Sequence, residues 1–357
     1  MIPSNYDYRM GLKNNLFRIK VFLNDKDKKP LPVIFREFMG LWWYKKNFPI
    51  HYIGRFMYRK GFNRPKDYMD MREYKSIVFP KRNNPQEYVT ILNNKLIFQV
   101  FCEKYNFPIP KMLGYNMQRT FVFQNETNHL TNVSQIKNYF KNLFTTTDSD
   151  KIFLKAFCGF MGKHIHVLQR DTFEETLDSL EGMLLNEAFI YQEGVMQHEE
   201  ISKIYSKSVN TLRVETFIDK TGKPNILGAV LRLGAGGKFV DNVSSGGFFV
   251  PIHIETGRLK AKGIRAMIHG GQEISKHPDT GFIFENFEVP FYNNCLELAL
   301  KLATYMPNKI AGWDMAITEK GPIVIEGNDQ PGITMGEMSY GGYAKHPLFN
   351  QMRGIEN

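Results

Sequence analysis

Apolar positions along the chain switch between a period near 3.6 and a period of two, and the switches mark helices and strands. From Asn93 to Tyr105, Leu96, Val100 and Lys104 share a side, which predicts a helix, with a short strand near Met112. "NVSQIKNYFKNLF" predicts a second helix, "KIFLKAF" a strand, residues 173 to 183 a further helix, and "AFIYQEGV" another strand. "TLRVETFIDKTGKPNILGAVLRLG" alternates on both sides of "DKTGKP", whose Gly222 suits a turn that needs positive φ. "VPFYNNCLELALKLATYM" has Phe291, Cys295, Leu298, Leu302 and Tyr305 at helical spacing. Strands and helices mix without strict repetition, so α+β domains are expected in place of a doubly wound sheet.

The chain has 357 residues, 43% of them hydrophobic, enough for a sizeable core and for two or three domains. No window approaches ~18 uninterrupted apolar residues, and the first twenty residues lack an export-type apolar block. Cys102, Cys158 and Cys295 lie far apart without metal-type spacing, as expected in a reducing cytoplasm. The net charge of +10 is unevenly placed: residues 1–90 hold 19 Lys or Arg against 8 Asp or Glu, and the rest is about neutral. The basicity therefore concerns what the first region touches. There, Arg36, Lys45, Lys46, Arg55, Arg59, Lys60, Arg64 and Lys66 interleave with Trp42, Trp43, Tyr44, Tyr52 and Phe56. Short amphipathic helices of this kind either pack their aromatics on the body of the protein or meet a membrane or anionic glycan. No nucleic-acid module is recognisable. The polar, Pro-containing "FPKRNNPQEY" predicts a boundary that closes an N-terminal region at residue 88.

Near the C-terminus, "AGWDMAI" and "PIVIEGN" read as strands joined through "TEKGP". A three-residue connection, Glu319 to Gly321, sets Asp314 opposite Glu326 and returns Asn328 to the same face. Trp313, Met315, Ile317, Ile323 and Ile325 are expected on the other. Facing carboxylates repel, and a divalent cation between them would relieve this; these hard oxygen ligands suit Mg²⁺ shared with phosphate. The plainer alternative is that both acids face solvent, each beside a lysine. Upstream, Lys155 ends a strand and "GFMGK" supplies Gly159, Gly162 and Lys163, an arrangement able to meet an anion, though without the spacing of a Walker loop. Arg213, on an apolar strand, has a planar fork suited to a phosphoryl or acyl-phosphate oxygen; its alternative is a pair with Glu215 or Asp241. No histidine stands out as a general base, and His164 and His166 read as structural or exposed.

Taken in order, the lysine strand, the glycine loop, "YQEGV" with "EEISK", "SVNTLRVETF", "VDNVSSGG" and "GWDMAI…IVIEGNDQPG" resemble ATP-grasp enzymes. The closest branch is the sugar-transfer-associated ATP-grasp proteins, related to α-L-glutamate ligases, over about residues 90–340. The resemblance implies an ATP-grasp fold, two α+β subdomains clasping ATP: residues 89–190 with the lysine and glycine loop, residues 191–345 with the magnesium site, and a tail over 346–357. It implies that Lys155 and Lys95 meet phosphates, that Gly159, Gly162 and Lys163 belong to a lid, and that Gln192, Glu193 and Val195 form the hinge beside adenine. It places Glu200, or Glu199, on ribose and makes Asp314, Glu326 and Asn328 the ligands of two Mg²⁺ ions. Arg213, Asn210 and Lys155 would act in catalysis, with Asn242 and Ser244 nearby.

The activity so implied is carboxylate–amine ligation through an acyl phosphate, forming an amide. The branch points to a carboxylate on a cell-surface sugar or uronic-acid glycan, an amine or amino acid as the second substrate, and a role in polysaccharide biosynthesis. Expected placement is cytoplasmic, with the basic region at the inner face of the membrane. A sugar or small-molecule kinase would use the same ATP-binding residues, and a non-catalytic anionic-surface module would need none of them.

Overall fold

A computed structural model of the chain describes residues 8–355, except 159–164, 240, 242, 244 and 245, with side chains from residue 16 onward. Two antiparallel sheets form its frame. The smaller contains β1 (Met112–Met117), β2 (Thr120–Phe123), β3 (Glu126–His129), β4 (Lys151–Ala156), β5 (Ile165–Gln169) and β6 (Ala188–Glu193), in the order β3-β2-β1-β6-β4-β5. Helices Val133–Thr145 and Phe173–Asn186 cover one face, and Asn132 caps the first of them. Alternation in β4 sends Ile152 and Leu154 into that core, leaving Phe153 and Lys155 on the opposite side.

The larger sheet contains β7 (Thr211–Ile218), β8 (Pro224–Leu233), β9 (Phe248–His253), β10 (Arg258–Leu259), β11 (Gly263–Arg265), β12 (Glu273–Ile274), β13 (Ile310–Thr318) and β14 (Gly321–Asn328). Its order is β12-β11-β9-β8-β7-β13-β14, with β10 beside β9. Helix Tyr292–Thr304 buries Cys295, Leu298, Ala299 and Leu302 against Leu212, Val214, Leu231, Trp313 and Met315. Phe291 and Tyr305, expected on that apolar face, are exposed at its two ends. The fold is the expected α+β arrangement of two sheet subdomains with a helical N-terminal region.

In the larger sheet the β7–β8 and β13–β14 hairpins each contain a bulge. Thr318 pairs with Gly321, so two residues, not three, make the β13–β14 turn, and Ile325 is the extra residue that restores Asp314 opposite Glu326. The expected pairing is thus reached by a shorter turn and an added residue. The bulge also revises the apolar face: Val324 enters the core, while Ile323 and Ile325 remain half-buried outside it. In the β7–β8 hairpin, Gly222 has φ +86° as the turn requires, and Leu227 is the unpaired residue.

Helix Lys95–Lys104, capped by Asn94, was expected with the lysine-bearing subdomain; instead, Phe98 and Cys102, with Leu92 before them, join the core of the larger sheet. Val100 and Lys104 are on its exposed side, so the anticipated face is the outer one. Residues 346–357 are also more than a tail. Phe349 and Met352 pack with Met69, Ile77 and Val78 beneath the other face of the sheet.

Candidate active site

The two sheets face each other across a cavity. Phe153, Lys155, Ile165 and Glu193 line it from the smaller sheet, Val195 from the connection between them, and Thr211, Arg232, Asp314, Ile325 and Glu326 from the larger, with Asp241 beside these. Register explains the convergence: Asp314 is opposite Arg213 on one side and Glu326 on the other, while Arg213 faces Val230, two residues before Arg232. All four charged side chains therefore emerge from one sheet face.

Asp314 accepts hydrogen bonds from Arg213 Nε, from Arg213 Nη2 at 2.8 Å and from Arg232 Nη1 at 2.7 Å. Arg232 Nη2 also donates to Asp241 at 3.0 Å, and Asp241 accepts from the Thr211 backbone at 3.0 Å and from its hydroxyl. Gly312 leaves room for this network, because a Cβ there would come within 3.3 Å of Arg213 Nη1 and 2.7 Å of Pro331. Burial would raise the Asp314 pKa, but Arg213 and Arg232 outweigh it and hold the carboxyl well below its usual range. Burial pushes Glu326 up, as does Asp314 beside it, while Lys95 pulls the other way. Lys95 Nζ lies 3.8 Å from Glu326. Burial lowers Lys155 to about 8, with Glu326 opposing and Lys95 assisting that shift.

The charge of the facing acids is thus offset by protein cations already in place, without a metal between them. Magnesium still fits. A carboxylate offers about four lone-pair positions, of which the guanidiniums occupy three on Asp314. Glu326 and Asn328 add oxygens on the same face. Among the described residues no group of three or more His, Cys, Asp and Glu gathers to make an all-protein cage.

Other expected positions are placed differently. Asn210 is buried away from the cavity, where its amide donates to Gln197 Oε1 and Tyr205 O and accepts from Gly234 N and Ser208 Oγ. It ties strand ends together, and every hydrogen-bonding position of its amide is used locally. Arg213 is bound to Asp314 and is not among the residues that line the cavity. The alternative pair with Asp241 belongs to Arg232 instead. Glu200 reaches Lys203 at 2.5 Å, Glu199 reaches the same lysine at 3.5 Å, and neither lines the cavity. Gln192 donates to Gln99 at 2.6 Å inside the structure, whereas Glu193 and Val195 reach the cavity wall. Gly159, Gly162, Lys163, His164, Asn242 and Ser244 lie outside the described residues.

The sequence reading missed Arg232. An arginine within "GAVLRLG" carries the same signal as Arg213, but ungapped pairing from the "DKTGKP" turn puts the two on opposite faces. The Leu227 bulge brings them together.

The family described as sugar-transfer associated ATP-grasp matches residues 74–353. None of the curated proteins matches the chain. Among solved structures, D-alanyl-alanine synthetase A from Vibrio cholerae O1 biovar eltor is 14% identical at TM-score 0.45, over 74% of this chain and 65% of that one. The ATP-grasp ligase PsnB, complexed with minimal precursor, is 12% identical at TM-score 0.42, over 77% and 63%. Biotin carboxylase from Campylobacter jejuni is 12% identical at TM-score 0.44, over 74% and 46%. The chain spans about half to two-thirds of the length of these relatives.

Proposed function

The chain belongs to the sugar-transfer-associated ATP-grasp family, whose fold is that of ligases joining a carboxylate to an amine through an acyl phosphate, and on that premise we propose that it performs this reaction. The observation that carries the reading is the cavity itself, which sets Lys155 of one sheet across from Arg232, Asp314 and Glu326 of the other.

In this reading Glu193 and Val195 border adenine, with Gln192 behind them, and Lys155 and Lys95 meet the phosphates. Asp314, Glu326 and Asn328 would hold Mg²⁺, as two ions, which supply charge stabilisation at the phosphates. The substrate carboxylate attacks the γ-phosphorus, giving ADP and an acyl phosphate; an amine then attacks the acyl carbon and expels phosphate. Arg232 faces the departing phosphate, while Arg213 fixes Asp314 and thereby the wall, so electrostatic preorganisation does most of the work.

The family description motivates the finer proposal: the acid is carried by a cell-surface sugar or uronic-acid glycan in polysaccharide biosynthesis, the amine being an amino acid or similar nucleophile. It would act at the cytoplasmic face of the membrane, the basic N-terminal helices making a peripheral contact. No helix among the described residues is long and apolar enough to cross a membrane. Incubation with Mg-ATP and pooled carboxylates and amines, followed by mass spectrometry, tests the chemistry. ADP with a dehydrative conjugate is expected; a phosphorylated acceptor would replace ligase by kinase, and absence of Mg-ATP binding would remove the enzyme reading altogether.

A further inference from the structure

The N-terminal helices sort charge by depth. Asp25 pairs with Arg59 at 2.7 Å, Glu37 with Lys29 at 2.7 Å and Glu73 with Lys45 at 2.8 Å, all with largely covered side chains. Among residues 16–66, seven Lys or Arg are exposed against a single exposed acid, Asp27. The acids hold this region together, and the surplus cations face outward.

Helix Leu31–Lys45 sorts its apolar residues in a less usual way. Ile34 and Leu41 are buried, at 8% and 1% exposure, and anchor the inner side. On the outer side Leu31, Phe35, Met39, Trp42 and Trp43 follow at helical spacing with exposures of 68%, 67%, 40%, 42% and 88%. Arg36 and Lys46 are exposed alongside, and no acid of this helix is exposed. A contiguous apolar face of this size on a soluble surface marks a contact. An anionic glycan would match the cations while leaving Leu31, Phe35 and Met39 in water. An anionic bilayer matches both: bulky apolar groups enter the headgroup–acyl boundary, indole rings favour that interface, and cations meet lipid headgroups.

We propose that helix Leu31–Lys45 is a preformed interfacial anchor that lies on an anionic lipid bilayer, with Leu31, Phe35, Met39 and Trp43 inserted and Arg36 and Lys46 at the headgroups. This names the residues and lipid chemistry of the peripheral contact proposed above, and it stands apart from the ligase chemistry. The anchor needs no folding on arrival, because Lys29, Tyr52 and the buried Lys45–Glu73 pair already hold its inner side.

The full-length protein, without nucleotide, is tested by flotation with vesicles of phosphatidylcholine alone and with phosphatidylserine added. Binding is expected with phosphatidylserine, accompanied by a blue shift of Trp42 and Trp43 emission; Trp313, fully buried, contributes a constant background. Leu31→Ser/Phe35→Ser/Trp43→Ser should weaken binding by at least about tenfold while melting and Mg-ATP binding stay unchanged. Arg36→Gln/Lys46→Gln should weaken it several-fold on phosphatidylserine vesicles only. Absence of vesicle binding by the parent protein, or unchanged binding by the triple variant, overturns the proposal. A concentration-dependent dimer that the triple variant abolishes also overturns it, assigning the face to a second copy. Because Mg-ATP binding is measured separately, loss of the anchor and loss of the ligase reading remain distinguishable.

Discussion

On the cleft face of the larger sheet, Asp314 and Asp241 share Arg232, and Asp314 takes a second guanidinium from Arg213. Across the N-terminal helices, by contrast, Asp25, Glu37 and Glu73 are drawn inward to partners while the surplus cations stand in water. The two regions are similarly rich in charge but use it in opposite senses. The cleft network is costly to bury and rigid once made, which is what a reaction with developing negative charge requires. The outward cations are cheap to maintain and act only when something anionic approaches. Net charge alone would have directed attention to the wrong end of the molecule.

The largest expected effect breaks the chemistry on the cleft side. Glu326→Gln removes one acid at nearly constant shape, and turnover in the conjugate assay should fall by about 10²- to 10³-fold. Melting should change little, because the substitution relieves the repulsion between Glu326 and Asp314 and gives up a contact with Lys95 at 3.8 Å. Retained turnover would remove Glu326 from the proposed magnesium site. Arg232→Met comes next and concerns stability as well as rate. It leaves Asp241 and Asp314 short of a buried partner, so urea denaturation should show a loss of about 3 kcal/mol. Arg36→Met, on the outward helix face, should stay within about 0.5 kcal/mol of the parent. Equal losses at the two sites would erase the distinction between the regions.

Much of this contrast was legible in the sequence, and the illegible part has a common physical cause. The helices Val133–Thr145 and Phe173–Asn186, the strand carrying Lys155 and the β7–β8 and β13–β14 hairpins follow from periodicity and turn residues. Asp314 opposite Glu326 also follows, but through compensation: a turn one residue shorter than expected is offset by Ile325. The companion bulge at Leu227 has no such offset, and it hid the shared face of Arg213 and Arg232. Bulges are not announced by alternation, since one extra residue in a buried strand looks like any other apolar position. Arg213 was singled out by its planar fork and Asn210 by the resemblance, and neither reading could say that Arg213 is bound to Asp314 or that the Asn210 amide is bound to Gln197 and Tyr205. Which end of a polar side chain is already occupied is a tertiary fact. In the N-terminal region, composition revealed basicity and aromatics, but only the inward ion pairs show which charges are left over.

A pH series sharpens the comparison on the N-terminal side. His51 is 7% exposed, and its Nε2 has no hydrogen-bond partner among the described residues. Burial lowers its pKa to about 4, with Arg55 and Lys45 assisting and Asp70 opposing. Below its ordinary value of 6.5 the unfolded chain binds a proton that the fold refuses, so stability falls as pH drops from about 6.5 toward 4. Between pH 7 and 5 this amounts to about 2 kcal/mol, read as a shift in urea midpoint. His51→Gln should flatten that window. An unchanged acid limb in the variant would show that His51 is not the group responsible.

The smaller of the two pH effects lies where the two regions meet. Glu337 accepts from Arg55 of the N-terminal region, from Met69 N at 2.7 Å and from Tyr343 N at 3.1 Å. Tyr343 in turn donates its hydroxyl to Glu215 at 2.8 Å, two residues beyond Arg213 on the same strand. Burial raises Glu215 to about 8, reinforced by Glu337 and resisted by the Tyr343 bond, by Arg213 and by the Gly336 N–H. The sign is opposite to that of His51. A folded acid with a raised pKa retains a proton that the unfolded chain gives up, so its contribution is complete below about 4.5 and is lost as pH rises through 8. From pH 7 to 9 the parent should lose about 1 kcal/mol, and Glu215→Gln, uncharged throughout, should not. If both lose stability equally, the seam is insensitive to Glu215, and coupling between the regions must run through Arg55 and Glu337 without it.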